Sequence, residues 1–267
     1  MSAESPEPVL LVDDAAGVRT LLLNRPAAFN SLTLELKESL LGSLRAASQD
    51  SSIRAVVISG AGDAFCAGQD LKEHVEALQR GDGSSSTTVE RHYNPLIETI
   101  TGMPKPVIAA VNGAAAGAGA SLACAADLRI ADRSARFLMA FANVGLSADS
   151  GASWTLPRLI GYGRAMEMML LAQPVGAEEA LAVGLVNRLV PDGTALRAAQ
   201  ELAARMATGP TASFAALKEA LRLGAASPLP DALASEARLQ HEAGSSADHR
   251  EAVEAFVAKR PPRFAGN

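Results

Sequence analysis

The chain has 267 residues, of which 48% are hydrophobic, 20% charged and 4% aromatic, with 24 Lys and Arg against 29 Asp and Glu. That length and apolar content exclude global disorder and suit one large domain with room for a modest appendage. A net charge of −5 argues against phosphate-backbone binding as the main task, and two cysteines are too few for a disulfide framework.

The opening stretch MSAESPEP carries two acids and no apolar run, which predicts no leader peptide and a cytoplasmic protein. Val9–Val12 and Val18–Leu23 read as strands of a hairpin around Asp13-Asp14-Ala15-Ala16-Gly17, and Asn24-Arg25-Pro26 ends the second. Leu34–Ala47 has helical apolar spacing, opened by Ser31-Leu32-Thr33, and Ile53–Ser59 is a strand stopped at Gly60-Ala61-Gly62. The glycine- and serine-rich segment Gly81–Thr88 reads as a mobile surface loop. Then follow a strand at Val107–Val111, a helix at Gly117–Ala126, a strand at Leu128–Ala131, helices from Trp154 onward and a strand at Val186–Val190. Segment 107–126 is broken by Asn112 and three glycines, so it is expected in the core rather than across a membrane. From Thr194 the pattern is helical, over Ala195–Ala207, Thr211–Leu223, Leu229–His241 and Ser246–Lys259. Strands alternating with helices predict an α/β fold with mainly parallel pairing after the hairpin.

Two small-residue turns between a strand and a helix carry the chemical interest: Phe65-Cys66-Ala67-Gly68-Gln69-Asp70-Leu71 and Asn112–Leu122 with Gly117-Ala118-Gly119. Small side chains let a ligand approach the backbone, and a helix start offers unpaired N–H groups to an oxyanion. The second turn lacks the third glycine of a dinucleotide fingerprint, since Leu122 stands there. Between Glu98 and Glu167 the carboxylates are Asp127, Asp132 and Asp149. The first two read as surface or capping charges. Asp149 lies in a small-residue segment flanked by Phe141 and Trp154 and has two readings. It is the N-cap of the next helix, or an acid whose apolar setting suits it to proton transfer. The histidines, His74 included, read as solvated, and Cys66 and Cys124 as small buried residues.

In order and spacing, Asn24-Arg25-Pro26, Phe65–Leu71, Lys105–Gly113 and Gly117-Ala118-Gly119 resemble the crotonase (enoyl-CoA hydratase/isomerase) superfamily, from about Val9 to Phe264. The resemblance implies a crotonase-like spiral of ββα units over residues 1–205 and a C-terminal helical trimerisation and cover region over 206–267. It implies a homotrimer or hexamer, an acyl-CoA thioester as substrate, no separate cofactor, no metal, and neither nucleic acid nor membrane as partner. By the same resemblance the backbone N–H groups of Gln69 and Ala118 form the oxyanion hole. Ala64, Ala67, Leu71 and Phe141 border the substrate and CoA path, and Phe256 and Lys259 cover the ligand, often a neighbouring subunit's.

Hydratases of that family use two glutamates, and their positions here read Ser121 and Phe141. Asp149 instead matches the carboxylate that several isomerases use, and Tyr93-Asn94-Pro95-Leu96 and Phe137–Phe141 are most similar to the 1,2-epoxyphenylacetyl-CoA isomerase branch. The resemblance to the dehalogenases is weaker, because their helper histidine falls at Asn94 and their tryptophan at Phe141. What the resemblance implies is an acyl-CoA isomerase with Asp149 as its acid and base. The alternatives are a weak hydratase and an acyl-CoA-binding protein without turnover.

Overall fold

The computed structural model describes residues 7–81 and 87–267. The Gly81–Thr88 loop expectation therefore falls mainly on residues 82–86, outside the described part, as do residues 1–6 of the N-terminal stretch.

Among the described residues, ten strands build two sheets: β1 (Leu10–Ala15), β2 (Val18–Leu23), β3 (Ala55–Gly60), β4 (Ala64–Cys66), β5 (Val107–Val111), β6 (Ala114–Ala116), β7 (Leu128–Asp132), β8 (Arg136–Leu138), β9 (Val175–Gly176) and β10 (Arg188–Val190). The larger sheet runs β1-β2-β3-β5-β7-β10 and the smaller β4-β6-β8-β9. Only β1–β2 and β8–β9 pair antiparallel. The order is the same in both sheets: β3, β5 and β7 each hand the chain to a three-residue strand, β4, β6 and β8, beside its predecessor. Each repeat thus advances both sheets by one strand, which makes the spiral expected from the resemblance. The short strands escaped the sequence reading because three residues give no measurable period. The β1–β2 turn is also tighter than expected. Asp13 and Asp14 pair with Thr20 and Arg19, leaving Ala16-Gly17 to turn.

Helices α1 (Leu34–Gln49), α2 (Leu71–Arg80), α3 (Asn94–Gly102) and α4 (Ala118–Ala125) alternate with these strands. They are followed by α5 (Ala152–Ile160), α6 (Tyr162–Leu171) and α7 (Ala177–Ala182). Thr33 caps α1, accepting the Leu36 N–H, as its place before the apolar stripe predicts. Residues 107–126 become β5, β6 and the wholly buried α4, a core segment; among the described residues no helix is long and apolar enough to cross a membrane.

The larger sheet buries alternate residues on its two faces. Val56, Ile58, Val107, Ala109 and Val111 pack with the α1 leucines Leu36, Leu40 and Leu44. Ala55, Val57, Ile108 and Ala110 face α8 (Ala195–Ala207) across a stripe of Ala195, Ala199, Ala203 and Ala207. Alanines at four-residue spacing present a smooth helix face that can lie close against a sheet. Asp132 caps α8 by accepting the N–H groups of Gly193, Thr194 and Ala195. It is a buried cap and not a surface charge.

Helices α9 (Thr211–Gly224), α10 (Leu229–Gly244) and α11 (Ala247–Val257) complete the chain. Lys218 of α9 pairs with Asp127 at 2.6 Å and donates to the Lys105 carbonyl. Arg54 reaches Thr211 and the carbonyls of Gly209 and Phe264. The helical tail is thereby tied to the rim of the sheet by charged hydrogen bonds rather than by a deep core.

Candidate active site

Three parallel strands of the smaller sheet end side by side, and the segments leaving their C-terminal ends enclose one cavity. Ala67-Gly68-Gln69 follows β4, Gly117-Ala118 follows β6, and Ala140 and Phe141 follow β8. The cavity measures about 300 Å³, and Ser31, Leu71, His74, Val144, Leu146 and Asp149 complete its wall. C-terminal strand ends are where parallel sheets hold ligands, because each connection there departs into a helix or turn and leaves a crevice.

The first two turns are knit together through missing side chains. A Cβ on Gly119 would stand 2.2 Å from the Cys66 carbonyl oxygen, and one on Gly68 would stand 2.7 Å from that of Ala116. Gly117 adopts φ +51° and ψ −123°, which L-residues with a Cβ avoid. Its own N–H is used by the Leu138 carbonyl, so the next N–H, that of Ala118, begins α4. Gln69 is placed by a parallel bridge to Leu32: Leu32 N–H donates to Gly68 O at 2.7 Å and Asp70 N–H to Leu32 O at 3.2 Å. In such a bridge the central residue's own N–H points away from its partner strand. Among the described residues, neither the Gln69 nor the Ala118 N–H donates to a protein group, and both residues border the cavity.

Asp149 borders the same cavity. Its side chain does not cap α5; that position belongs to Gly151, and only the Asp149 carbonyl joins the helix start, accepting from Ala152 N–H. The turn is left-handed at Ser150 (φ +50°) and Gly151 (φ +70°), an uncommon conformation for serine. The Ser150 hydroxyl donates to Asp149 Oδ1 at 2.9 Å. Burial pushes the Asp149 carboxyl above the ordinary carboxylate range, and the Ser150 hydrogen bond and the Lys37 charge pull back part of that rise. Among the described lining residues Asp149 is the one carboxylate and His74 the one imidazole.

Of the residues singled out from sequence, the cavity brings together Ala67, Gln69, Leu71, Ala118, Phe141 and Asp149. Ala64 is not in its wall; it is buried in β4, with its carbonyl accepting from Asn30 Nδ2 at 2.8 Å. Phe256 and Lys259 lie outside it at the end of α11, Phe256 being 84% exposed. Ser121 is buried and donates to the Gly117 carbonyl, whereas Phe141 lines the cavity. Trp154, expected beside Asp149, turns outward and stacks with Arg158 at 4.2 Å. His74, read as solvated, faces the cavity. Cys66 and Cys124 are free and buried, with burial pushing their thiols up to about 12 and about 11.

Behind Gln69 lies a polar cluster that the sequence reading missed. Lys37 is 3% exposed and donates to Gln69 Oε1 at 3.2 Å and Thr88 Oγ1 at 2.8 Å, with its ammonium 5.1 Å from the Tyr93 ring centre. The Tyr93 hydroxyl donates to the same Gln69 oxygen. The available signal was a lysine on the stripe of α1 shared with Leu40 and Leu44, where solvated residues do not belong. Next to Gln69, Asp70 caps α2 by accepting from Lys72 and Glu73 N–H, and it is met by Arg25 at 2.8 Å and Ser31 at 2.9 Å. Burial acts to raise the Asp70 pKa, yet these bonds hold it below the usual range. Arg25 of the Asn-Arg-Pro segment thus braces the turn that carries Gln69.

Residues 13–267 match the enoyl-CoA hydratase/isomerase family. The chain is 47% identical over 255 residues to a Rhodobacter capsulatus protein named probable enoyl-CoA hydratase, covering 94% of this chain and 95% of that one. It is 44% identical over 250 residues, at the same coverages, to the 1,2-epoxyphenylacetyl-CoA isomerase of Escherichia coli. The crystal structure of an enoyl-CoA hydratase from Polaromonas superposes with a TM-score of 0.90 at 33% identity, covering 96% of this chain and 99% of the other. The chain belongs to the crotonase, or enoyl-CoA hydratase/isomerase, superfamily.

Proposed function

We propose that the protein is an acyl-CoA isomerase, moving a double bond or isomerising a ring epoxide in a CoA thioester, with Asp149 as the single acid and base. The observation that carries this reading is a cavity bordered, among the described residues, by two undonated backbone N–H groups and one carboxylate. Deprotonating the carbon beside a thioester builds negative charge on its oxygen, and preorganised N–H donors stabilise that charge most in the transition state. For a 3-enoyl thioester, the Asp149 carboxylate takes a proton from C2, and the electron pair delocalises into a dienolate whose oxygen is held by the Gln69 and Ala118 N–H groups. The same proton returns at C4, leaving the double bond between C2 and C3. One base serves both transfers, so no second carboxylate and no separate cofactor is required. Ser121 and Phe141, at the positions of the hydratase glutamates, fit that economy.

The similarity to a named isomerase supports the reading. The similarity to a protein named as a hydratase favours the second one, slow addition of water assisted by Asp149. Within the proposal, residues 1–205 form the catalytic unit and 206–267 the cover, and the exposed Phe256 and Lys259 reach a neighbouring subunit's cavity in a trimer or hexamer.

Asp149→Asn is expected to fold like the parent and to lose roughly 10²–10⁴-fold in 3-hexenoyl-CoA isomerisation, the span of general acid–base catalysis. Parallel assays with crotonyl-CoA follow hydration. Undiminished isomerisation in the variant would sink the proposal, and hydration exceeding isomerisation in the parent would favour the second reading. Thioester binding without turnover at any chain length would leave only a binding protein.

A further inference from the structure

The buried cation behind the Gln69 turn has no part in the proton transfers described above, yet its surroundings are arranged around the reacting groups. An ammonium ion can only donate, so Lys37 acts by fixing acceptors. Gln69 Oε1 receives both Lys37 Nζ and the Tyr93 hydroxyl, which occupies both of its lone pairs and leaves the side chain one orientation. The Gln69 turn is then pinned twice, through its backbone by Leu32 and through its side chain by α1 and Tyr93. Among the described residues, Lys37 is met by the neutral oxygens of Gln69 and Thr88 and by the Tyr93 ring, not by a carboxylate. Carboxylates, Asp149 of the cavity wall among them, act on it through space rather than through a hydrogen bond, and a poorly screened interior carries that interaction further than water would.

We propose that Lys37 is a positioning residue, clamping Gln69 together with Tyr93 so that the adjoining backbone N–H is held on the thioester oxygen, and lending positive potential to the site where the enolate forms. The inference rests on the proposed enolate chemistry and adds a third component to it. Burial lowers the Lys37 pKa, opposed by the charges of Glu73, Asp149, Asp70 and Glu38; in turn the Lys37 charge favours the ionised form of Asp149. The remaining titratable neighbours are Tyr93, kept neutral because burial raises its pKa, His92 beside Thr88, and His74 in the cavity wall, while Arg25 is engaged with Asp70.

The test uses the full-length protein in a His74→Gln background, which leaves Asp149 without an imidazole beside it in the cavity wall. Lys37→Met, which keeps the stem and removes the charge, is expected to lower kcat on the order of tenfold with KM nearly unchanged, since a loosened donor acts on the transition state. It should also shift the acid limb to higher pH, because Asp149 loses the cation that favours its ionised form. Lys37→Gln, which can still donate, should shift the limb equally with a smaller loss in kcat. Tyr93→Phe, which leaves the charge, should lower kcat and leave the limb in place. An unmoved limb in either folded Lys37 variant overturns the electrostatic part, and unchanged kcat in Tyr93→Phe overturns the clamp. If neither Lys37 variant folds, Tyr93→Phe still decides the clamp, and Glu73→Gln replaces them for the charge. That change removes a carboxylate beside Lys37 and should lower the limb, a fixed limb counting against the proposal. Should Asp149→Asn prove fully active, the enolate reading itself fails; if it is inactive while the Lys37 and Tyr93 variants match the parent, only this inference does.

Discussion

The two walls of the cavity are made in opposite ways. The donor wall is backbone: adjacent parallel strands end together, glycines let the turns interlock, and the residues presenting the N–H groups are defined by hydrogen bonding rather than by side-chain chemistry. The acid wall is a side chain on a less covered segment, 142–147 being exposed and the turn at Ser150-Gly151 left-handed. In the proposed reaction, carbonyl activation is tied to the fold, while the bond to be changed is governed by one loop residue. That division gives a physical reason for one superfamily to house several reactions.

The donor wall breaks first through its packing. Gly119→Ala puts a Cβ into the Cys66 carbonyl, a backbone atom that cannot swing aside, and should destabilise by about 3 kcal/mol or more, the upper range for overpacking. Urea or thermal melting reads this directly; a parent-like midpoint would mean that the turns can separate without cost. Ala118→Pro is the finer cut. Proline is tolerated at the first position of a helix, so the fold should survive, while the lost N–H should reduce kcat on the order of 10²–10³-fold. Equal loss in thioester binding would instead indicate that the ring merely blocks the cavity. The smallest effect belongs to Trp154→Ala on the outer side of α5. Its contact with Arg158 is worth roughly 0.5–1 kcal/mol, and isomerisation should stay within about threefold of the parent. A large loss of rate would bring Trp154 back toward the acid wall, where its sequence neighbourhood first suggested it.

Much of this site could be read from residue order. Gln69 and Ala118 follow from the small-residue turns once the resemblance is recognised, and Phe141 and Asp149 border the same cavity. Trp154 was misplaced because nearness in sequence does not specify which face of α5 looks inward. Lys37 was missed because its partners, Gln69, Thr88 and Tyr93, come from separate stretches, and no local pattern pairs a helix lysine with a glutamine 32 residues away.

The sequence alone determined the α/β class, the helical tail, the small-residue turns and the family, since these depend on local periodicity, steric size and motif order. The tertiary structure decided which strand ends lie together, which N–H groups stay undonated, and that Asp149 faces the cavity instead of capping α5. It also decided that a lysine is buried behind the donor turn. Each depends on contacts between residues far apart in the chain, where sheet register and close approach, not local preference, set the geometry.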